Sequence, residues 1–129
     1  MQFFEEQAYR QECTSSIIGA AIEVHSQLGS GFLESVYQHA LAQEFSRREI
    51  PYEEQKDVPV YYKGLSLQTP FRCDFLCYNS IIVELKAVTK IQEEHIAQVV
   101  NYLKATRMKM GLLLNFGHHP RLEIRRVVH

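Results

Sequence analysis

The chain has 129 residues, 46% of them hydrophobic and 11% aromatic, and its 14 Lys+Arg against 15 Asp+Glu give a net charge of −1. This size and apolar content predict one domain over residues 1–129 and exclude a disordered chain, while the near-neutral charge argues against bulk, non-specific nucleic-acid binding. Apolar runs such as Ile81-Ile82-Val83 are too short to span a bilayer, and the acidic start Met1-Gln2-Phe3-Phe4-Glu5-Glu6 lacks the basic flank of a secretory signal.

From about residue 14, Ile17, Ile18, Ala21, Ile22, Val24, His25 and Leu28 recur at helical spacing, which predicts a first helix over 14–28 with Thr14 and Ser15 as caps. Gly29-Ser30-Gly31 interrupts the pattern, and a second helix runs to about Arg48. Its apolar stripe is Leu33, Val36, Tyr37, Ala40, Leu41 and Phe45, and helical geometry places Glu34 inside that stripe. Two accounts of Glu34 stay open: an acidic residue at the third helical position behind a Gly31 N-cap, favoured by the helix dipole, or a carboxylate of a metal site. Pro51 and Pro59 bracket a connection, and strand-like segments follow at 58–62, 67–77 and 81–87. A helix over 92–105 and strands over 111–116 and 122–128 complete the chain. The order αα-βββ-α-ββ predicts an α/β (α+β) fold, a mixed sheet with helices packed on it.

The most informative segment is the hairpin over 71–87. With its turn centred on Asn79, Asp74 and Glu84 become partners across an antiparallel pair. Strand alternation gives one face to Phe71, Cys73, Phe75, Cys77, Ile81, Val83, Leu85 and Ala87, all apolar, and the other to Arg72, Asp74, Leu76, Ile82, Glu84 and Lys86. Two opposed carboxylates repel each other, and on a helix-covered face they cannot be left uncompensated. A divalent cation resolves the conflict, and hard oxygen ligands suit Mg²⁺ or Mn²⁺ rather than zinc. Lys86 falls on the same side, where it can stabilise charge developing on a phosphate or orient an activated water. The alternative is a solvated face on which Lys86 neutralises Glu84 and Arg72 neutralises Asp74. Cys73 and Cys77, four residues apart on a strand, lie roughly 13 Å from each other, too far to share a zinc ion. With Cys13 they make an odd number of thiols, which predicts a reducing cytoplasm.

On the following helix Ile96, Val99, Val100 and Leu103 form the core stripe, while His95, Gln98 and Tyr102, joined by Ile91, form a second one. Gln98 and Tyr102 stand at i and i+4, so their amide and phenol can act on one ligand. Charge is uneven along the chain: residues 1–85 hold 6 Lys+Arg against 12 Asp+Glu, and residues 86–129 hold 8 against 3. The basic third, with Lys104, Arg107, Lys109, Arg121, Arg125 and Arg126, offers a face for a phosphate backbone, unless these are scattered solvated charges.

The segment Gly31-Phe32-Leu33-Glu34-Ser35-Val36-Tyr37 resembles the GxxExxY signature of a group of small prokaryotic proteins placed in the PD-(D/E)XK nuclease superfamily. Asp74 with Glu84-Leu85-Lys86 is similar to the D…ExK core of that superfamily, and Gln98-Val99-Val100-Asn101-Tyr102 to the QxxxY element of its exonuclease-like branch. The resemblance covers roughly residues 15–128, with one departure: Cys73 stands where the superfamily has a proline. It implies a restriction-endonuclease-like core, a central mixed sheet of about four strands flanked by helices. It further implies Asp74 and Glu84 as metal ligands assisted by the Leu85 carbonyl, Lys86 as the catalytic lysine, and Glu34 as a further acidic site residue. Gln98 and Tyr102 would position substrate or Lys86. Three functions compete: a Mg²⁺- or Mn²⁺-dependent nuclease with DNA as the leading substrate, a non-catalytic nucleic-acid-binding or regulatory module, and a subunit of a homo-oligomer or of a larger assembly.

Overall fold

The structure is a computed structural model that describes residues 2–129, with side chains from Glu6 onward. Ten elements follow in order: α1 (Gln2–Leu28), α2 (Glu34–Arg47), β1 (Tyr52–Val58), β2 (Tyr61–Tyr62), β3 (Leu65–Ser66), β4 (Phe71–Cys77), β5 (Ile81–Lys86), α3 (Glu93–Thr106), β6 (Met110–Asn115) and β7 (Glu123–Val128). Five strands make one sheet in the order β1-β4-β5-β6-β7, and β2-β3 form a separate short hairpin. Among the described residues only β5 and β6 run parallel; the α3 crossover joins them, as a parallel pair requires. The chain therefore has the expected mixed sheet flanked by helices, with five strands rather than about four.

Two apolar clusters cover the two faces. Ile17, Ala21, Val24, Tyr37, Leu41 and Phe45 from α1 and α2 pack with Phe75, Val83, Leu85 and Leu114. On the other face, Val99 and Leu103 of α3 pack with Ile82, Leu113 and Val127. The inner strand β6 is buried from Gly111 to Asn115, as expected of a strand covered on both sides.

Several expectations are corrected. Helix α1 begins far before residue 14, so Thr14 and Ser15 lie inside it; the Thr14 hydroxyl donates back to the Gln11 carbonyl at 3.0 Å rather than capping an end. The N-cap of α2 is Leu33, not Gly31, and Glu34 opens the first turn. Leu33, 77% exposed, and Glu34 stand at the exposed end of the helix, outside the stripe in which periodicity placed them, because the stripe is buried only from Tyr37 onward. The strand expected at 58–62 ends at Val58 and begins at Tyr52, while the segment expected from 67 pairs only from Phe71, just past Pro70. Alternation along β4 also shifts: Phe71 and Cys73 pack on the α3 side, whereas Phe75 and Cys77 pack on the α1–α2 side. The change of face falls on Asp74.

The close approach at Gly117 ties the segment after β6 to the one after β5. A Cβ on Gly117 would clash with the Ala87–Val88 backbone, the Val88 carbonyl oxygen first, and backbone atoms leave nothing flexible to move away. We therefore expect Gly117→Ala to destabilise the fold by about 1–3 kcal/mol, the usual cost of overpacking, as measured by urea unfolding.

Candidate active site

The β4–β5 ladder pairs Cys77 with Ile81, Leu76 with Ile82 and Phe75 with Val83, a register centred on Asn79 as the turn signal predicts. Tyr78 and Asn79 both take positive φ, the primed geometry that suits a tight hairpin. One step further, Asp74 stands opposite Glu84, and there side chains replace the ladder. The Asp74 N–H donates to Glu84 Oε2 at 2.9 Å, and the Leu85 N–H donates to Asp74 Oδ2 at 2.8 Å. The Asp74 carbonyl accepts from Gln38 Nε2 of α2 at 3.2 Å. Both backbone groups of Asp74 are thus held by side chains. On the other flank, Gln55 has φ 47 and is skipped in the β1–β4 register at the level of Asp74.

The pair carries no close counter-ion among the described residues. Arg72 forms a two-pronged bridge to Asp57 on β1, at 2.8 and 3.3 Å, and not to Asp74. Lys86 makes no ion pair within 4.0 Å among the described residues. The account in which Arg72 and Lys86 simply neutralise the two carboxylates therefore fails. Burial first, and the Asp74 carboxylate second, push the Glu84 carboxyl up to about 8, with Lys86 acting in the opposite direction. Glu34 is raised as well, by partial burial and then by Asp74, and it too feels Lys86. Across from them, burial followed by Glu84 and Asp74 raises the Tyr102 phenol. The Tyr102 ring stacks on Phe71 with centroids 3.8 Å apart.

The structure thus brings Glu34, Asp74, Glu84, Lys86 and Tyr102 into one electrostatic neighbourhood. Gln98 is exposed and makes no hydrogen bond among the described residues, and His95 is engaged elsewhere: its Nδ1 accepts from the Gln92 N–H in the capping box of α3.

Three supports escaped sequence reasoning. Gln38, one helical turn after Glu34, reaches both Asp74 and, at 3.3 Å, Glu54 on β1; its i+4 spacing from Glu34 was the available signal. Asn115, fully buried and paired with Lys86 in the β5–β6 register, accepts from the N–H groups of Val88 and Gly117 and donates to Glu123, which in turn accepts from the Ile91 N–H. This network fixes the segment leaving Lys86. Tyr37 donates to the Gly29 carbonyl at 2.6 Å and accepts from the Phe32 N–H, with its ring stacked on Phe116. It clamps the turn that delivers Glu34.

No group of three or more His, Cys, Asp or Glu side chains among the described residues is placed to hold a metal ion. The Asp74–Glu84 pair nevertheless fits one. Each carboxylate spends one oxygen on a backbone amide, leaving Asp74 Oδ1 and Glu84 Oε1 as hard donors. Mg²⁺ is commonly held by one or two carboxylates while it keeps several waters.

A family profile described as the PD-(D/E)XK nuclease superfamily matches residues 11–127. The chain belongs to the PD-(D/E)XK nuclease superfamily. Among solved structures, the crystal structure of SSO0001 shares the fold with a TM-score of 0.56 at 16% identity, over 74% of this chain and 49% of that one. The chain thus spans about half the length of that protein. No curated protein matches the chain by sequence. The residues that resemble the superfamily's D…ExK core are the ones that interlock where β4 and β5 part.

The raised Glu84 carboxyl sets a pH dependence. Its folded pKa lies above the unfolded value near 4.3, so the folded state holds the proton more tightly. Its stabilising contribution is complete below about pH 4 and is lost as pH rises through the folded value. In EDTA, wild-type stability should therefore decline between about pH 5 and 8 more steeply than that of Glu84→Gln, whose amide oxygen can still accept from Asp74. Parallel urea-unfolding profiles for the two proteins would overturn this reading.

Proposed function

We propose that this protein is a Mg²⁺- or Mn²⁺-dependent nuclease that hydrolyses phosphodiester bonds, with DNA as its leading substrate. The observation that carries the proposal is the pair Asp74 and Glu84, each locked to backbone by one oxygen and left without a cation within bridging distance among the described residues. Asp74 and Glu84 would hold the metal with the Leu85 carbonyl, and Glu34 adds a carboxylate from the first turn of α2. The bound ion would supply Lewis-acid charge neutralisation and acidify a water.

The chain's own residues do the rest. Lys86 places a positive charge where the phosphoryl oxygens become more negative during attack. Tyr102, held flat against Phe71, presents its hydroxyl to the same space, and Gln98 on the preceding turn offers an amide to substrate. The grip of Gln38 on the Asp74 carbonyl and the Asn115–Glu123 network keep Asp74 and Lys86 in place, as a preorganised site requires.

Membership of the GxxExxY group belongs to the same proposal, supported by Gly31, Glu34 and Tyr37 acting as one turn in which the Tyr37 hydroxyl holds Gly29 and Phe32. A reducing cytoplasm is supported by three free, buried cysteines. A second reading, a nucleic-acid-binding module without turnover, is favoured by the exposed, unengaged Gln98 and by basic residues that lie away from the carboxylate pair.

Asp74→Asn and Lys86→Met separate the two readings. For a nuclease, Mn²⁺- or Mg²⁺-dependent cleavage of a DNA panel (single-stranded, duplex and branched) is abolished by EDTA and falls by about 10²–10³-fold or more in each variant. A wild-type protein that binds these DNAs but cleaves none of them, nor RNA, with either metal leaves the binding module standing.

A further inference from the structure

Three basic residues of the C-terminal third, Arg107, Lys109 and Arg126, border cavities at the end of β5–β6 opposite Lys86. Two adjoining cavities of about 200 and 330 Å³ lie where the N-terminal half of α1 meets the start of β6, and they share Arg10 and Met110. Arg126 of β7 lines the first; Arg107 and Lys109, between α3 and β6, line the second together with Tyr9. Four cations from separate parts of the chain thus border one continuous groove, with Glu6 as the opposing carboxylate. None of the four is in an ion pair among the described residues, whereas Arg48 at the C-terminus of α2 is paired with Glu44 one helical turn away.

The groove also carries an aromatic surface. Tyr9 is 57% exposed and stands edge-on to Tyr78, and the Arg107 guanidinium lies 4.3 Å from the Tyr61 ring centre. Four cations with the exposed Tyr9 ring among them, and the Arg107 guanidinium backed by the half-buried Tyr61, suit a flexible phosphate chain whose bases can stack, which is the chemistry of single-stranded nucleic acid. The β5–β6 register fixes the distance to the candidate active site. Met110 pairs with Ile81 at one end and Asn115 with Lys86 at the other. The five residue steps from Met110 to Asn115 separate the groove from Lys86 by about 17 Å.

We propose that this groove is a distal anchor for a single-stranded nucleic-acid chain whose scissile phosphate lies at Asp74, Glu84 and Lys86. The inference rests on the nuclease reading for the second half of that statement only; the anchor itself is a binding claim. A chain must span about 17 Å to occupy both places, so only an oligonucleotide at least that long engages both at once.

The test uses the full chain and fluorescently labelled oligo-dT of 4 and 16 nucleotides, with binding measured by anisotropy across a KCl series in EDTA. Arg10→Glu with Lys109→Glu is compared with wild type, and Lys109→Gln with Arg126→Gln serves as a milder pair should the charge reversal not fold. The expected result is about tenfold or weaker binding of the 16-mer by the reversed pair, a salt slope shallower by about 1.4 for two lost phosphate contacts, and a smaller absolute loss for the 4-mer, which brings fewer phosphates to the groove. Hydrolysis of bis(p-nitrophenyl) phosphate with Mn²⁺ stays at the wild-type rate, because that substrate cannot reach the groove. Equal 16-mer binding by wild type and variants, or no binding by wild type, overturns the anchor and leaves the nuclease reading to its own assay. Salt-dependent 16-mer binding lost in the variants, from a protein that hydrolyses nothing, upholds the anchor and removes the nuclease reading.

Discussion

The structure depends on an exchange of hydrogen bonds between Asp74 and Glu84. The antiparallel ladder of β4 and β5 ends one step before these positions, at Phe75 and Val83. Here Glu84 takes the Asp74 N–H and Asp74 takes the Leu85 N–H, so each carboxylate is fixed to the opposite strand's backbone. The two bonds hold both carboxyl groups in one orientation. Ionising both would leave a desolvated pair of like charges, which is why the Glu84 carboxyl resists ionising.

The rest of the fold can be understood as support for that crossing. From α2, Gln38 secures the Asp74 carbonyl, and Tyr37, one residue earlier, secures the turn that delivers Glu34. From the far side of the sheet, α3 sets Tyr102 against Phe71, which reaches α3 because β4 changes face at Asp74. From β6, Asn115 pins the segment that follows Lys86. Three layers of the molecule converge on one residue step of one hairpin.

What the sequence revealed follows from where local pattern and tertiary packing agree. The Asp74–Glu84 register was legible because the turn at Asn79 lies midway between two apolar runs, 75–77 and 81–83, that pair residue for residue. Helix α3 and strands β6 and β7 were legible within a residue or so for the same reason. Strand β1 was not, because Glu53-Glu54-Gln55-Lys56-Asp57 is exposed throughout and has no period-2 apolar signal; it is a strand by virtue of pairing with β4. The face change at Asp74 was also hidden, since alternation assumes an unbroken strand. Periodicity put Glu34 in the core for a related reason, as it cannot tell that a helix's first turn lies beyond the layer its later turns bury. The buried Asn115 and the roles of Gln38 and Tyr37 depend on partners outside any local repeat, so no short-range pattern encodes them.

The solvent-facing charges of β1 have a consequence beyond concealing the strand. β1 is one of the two edge strands of the sheet, and its free edge would otherwise offer unpaired N–H and C=O groups to any other extended chain. Glu53, Glu54, Lys56 and Asp57 make that approach costly in desolvation, and the left-handed backbone at Gln55 spoils the straight template that a new strand would need. A molecule whose working residues require two strands to part must keep other strands from joining, and on the β1 side of the sheet the charged border serves that end.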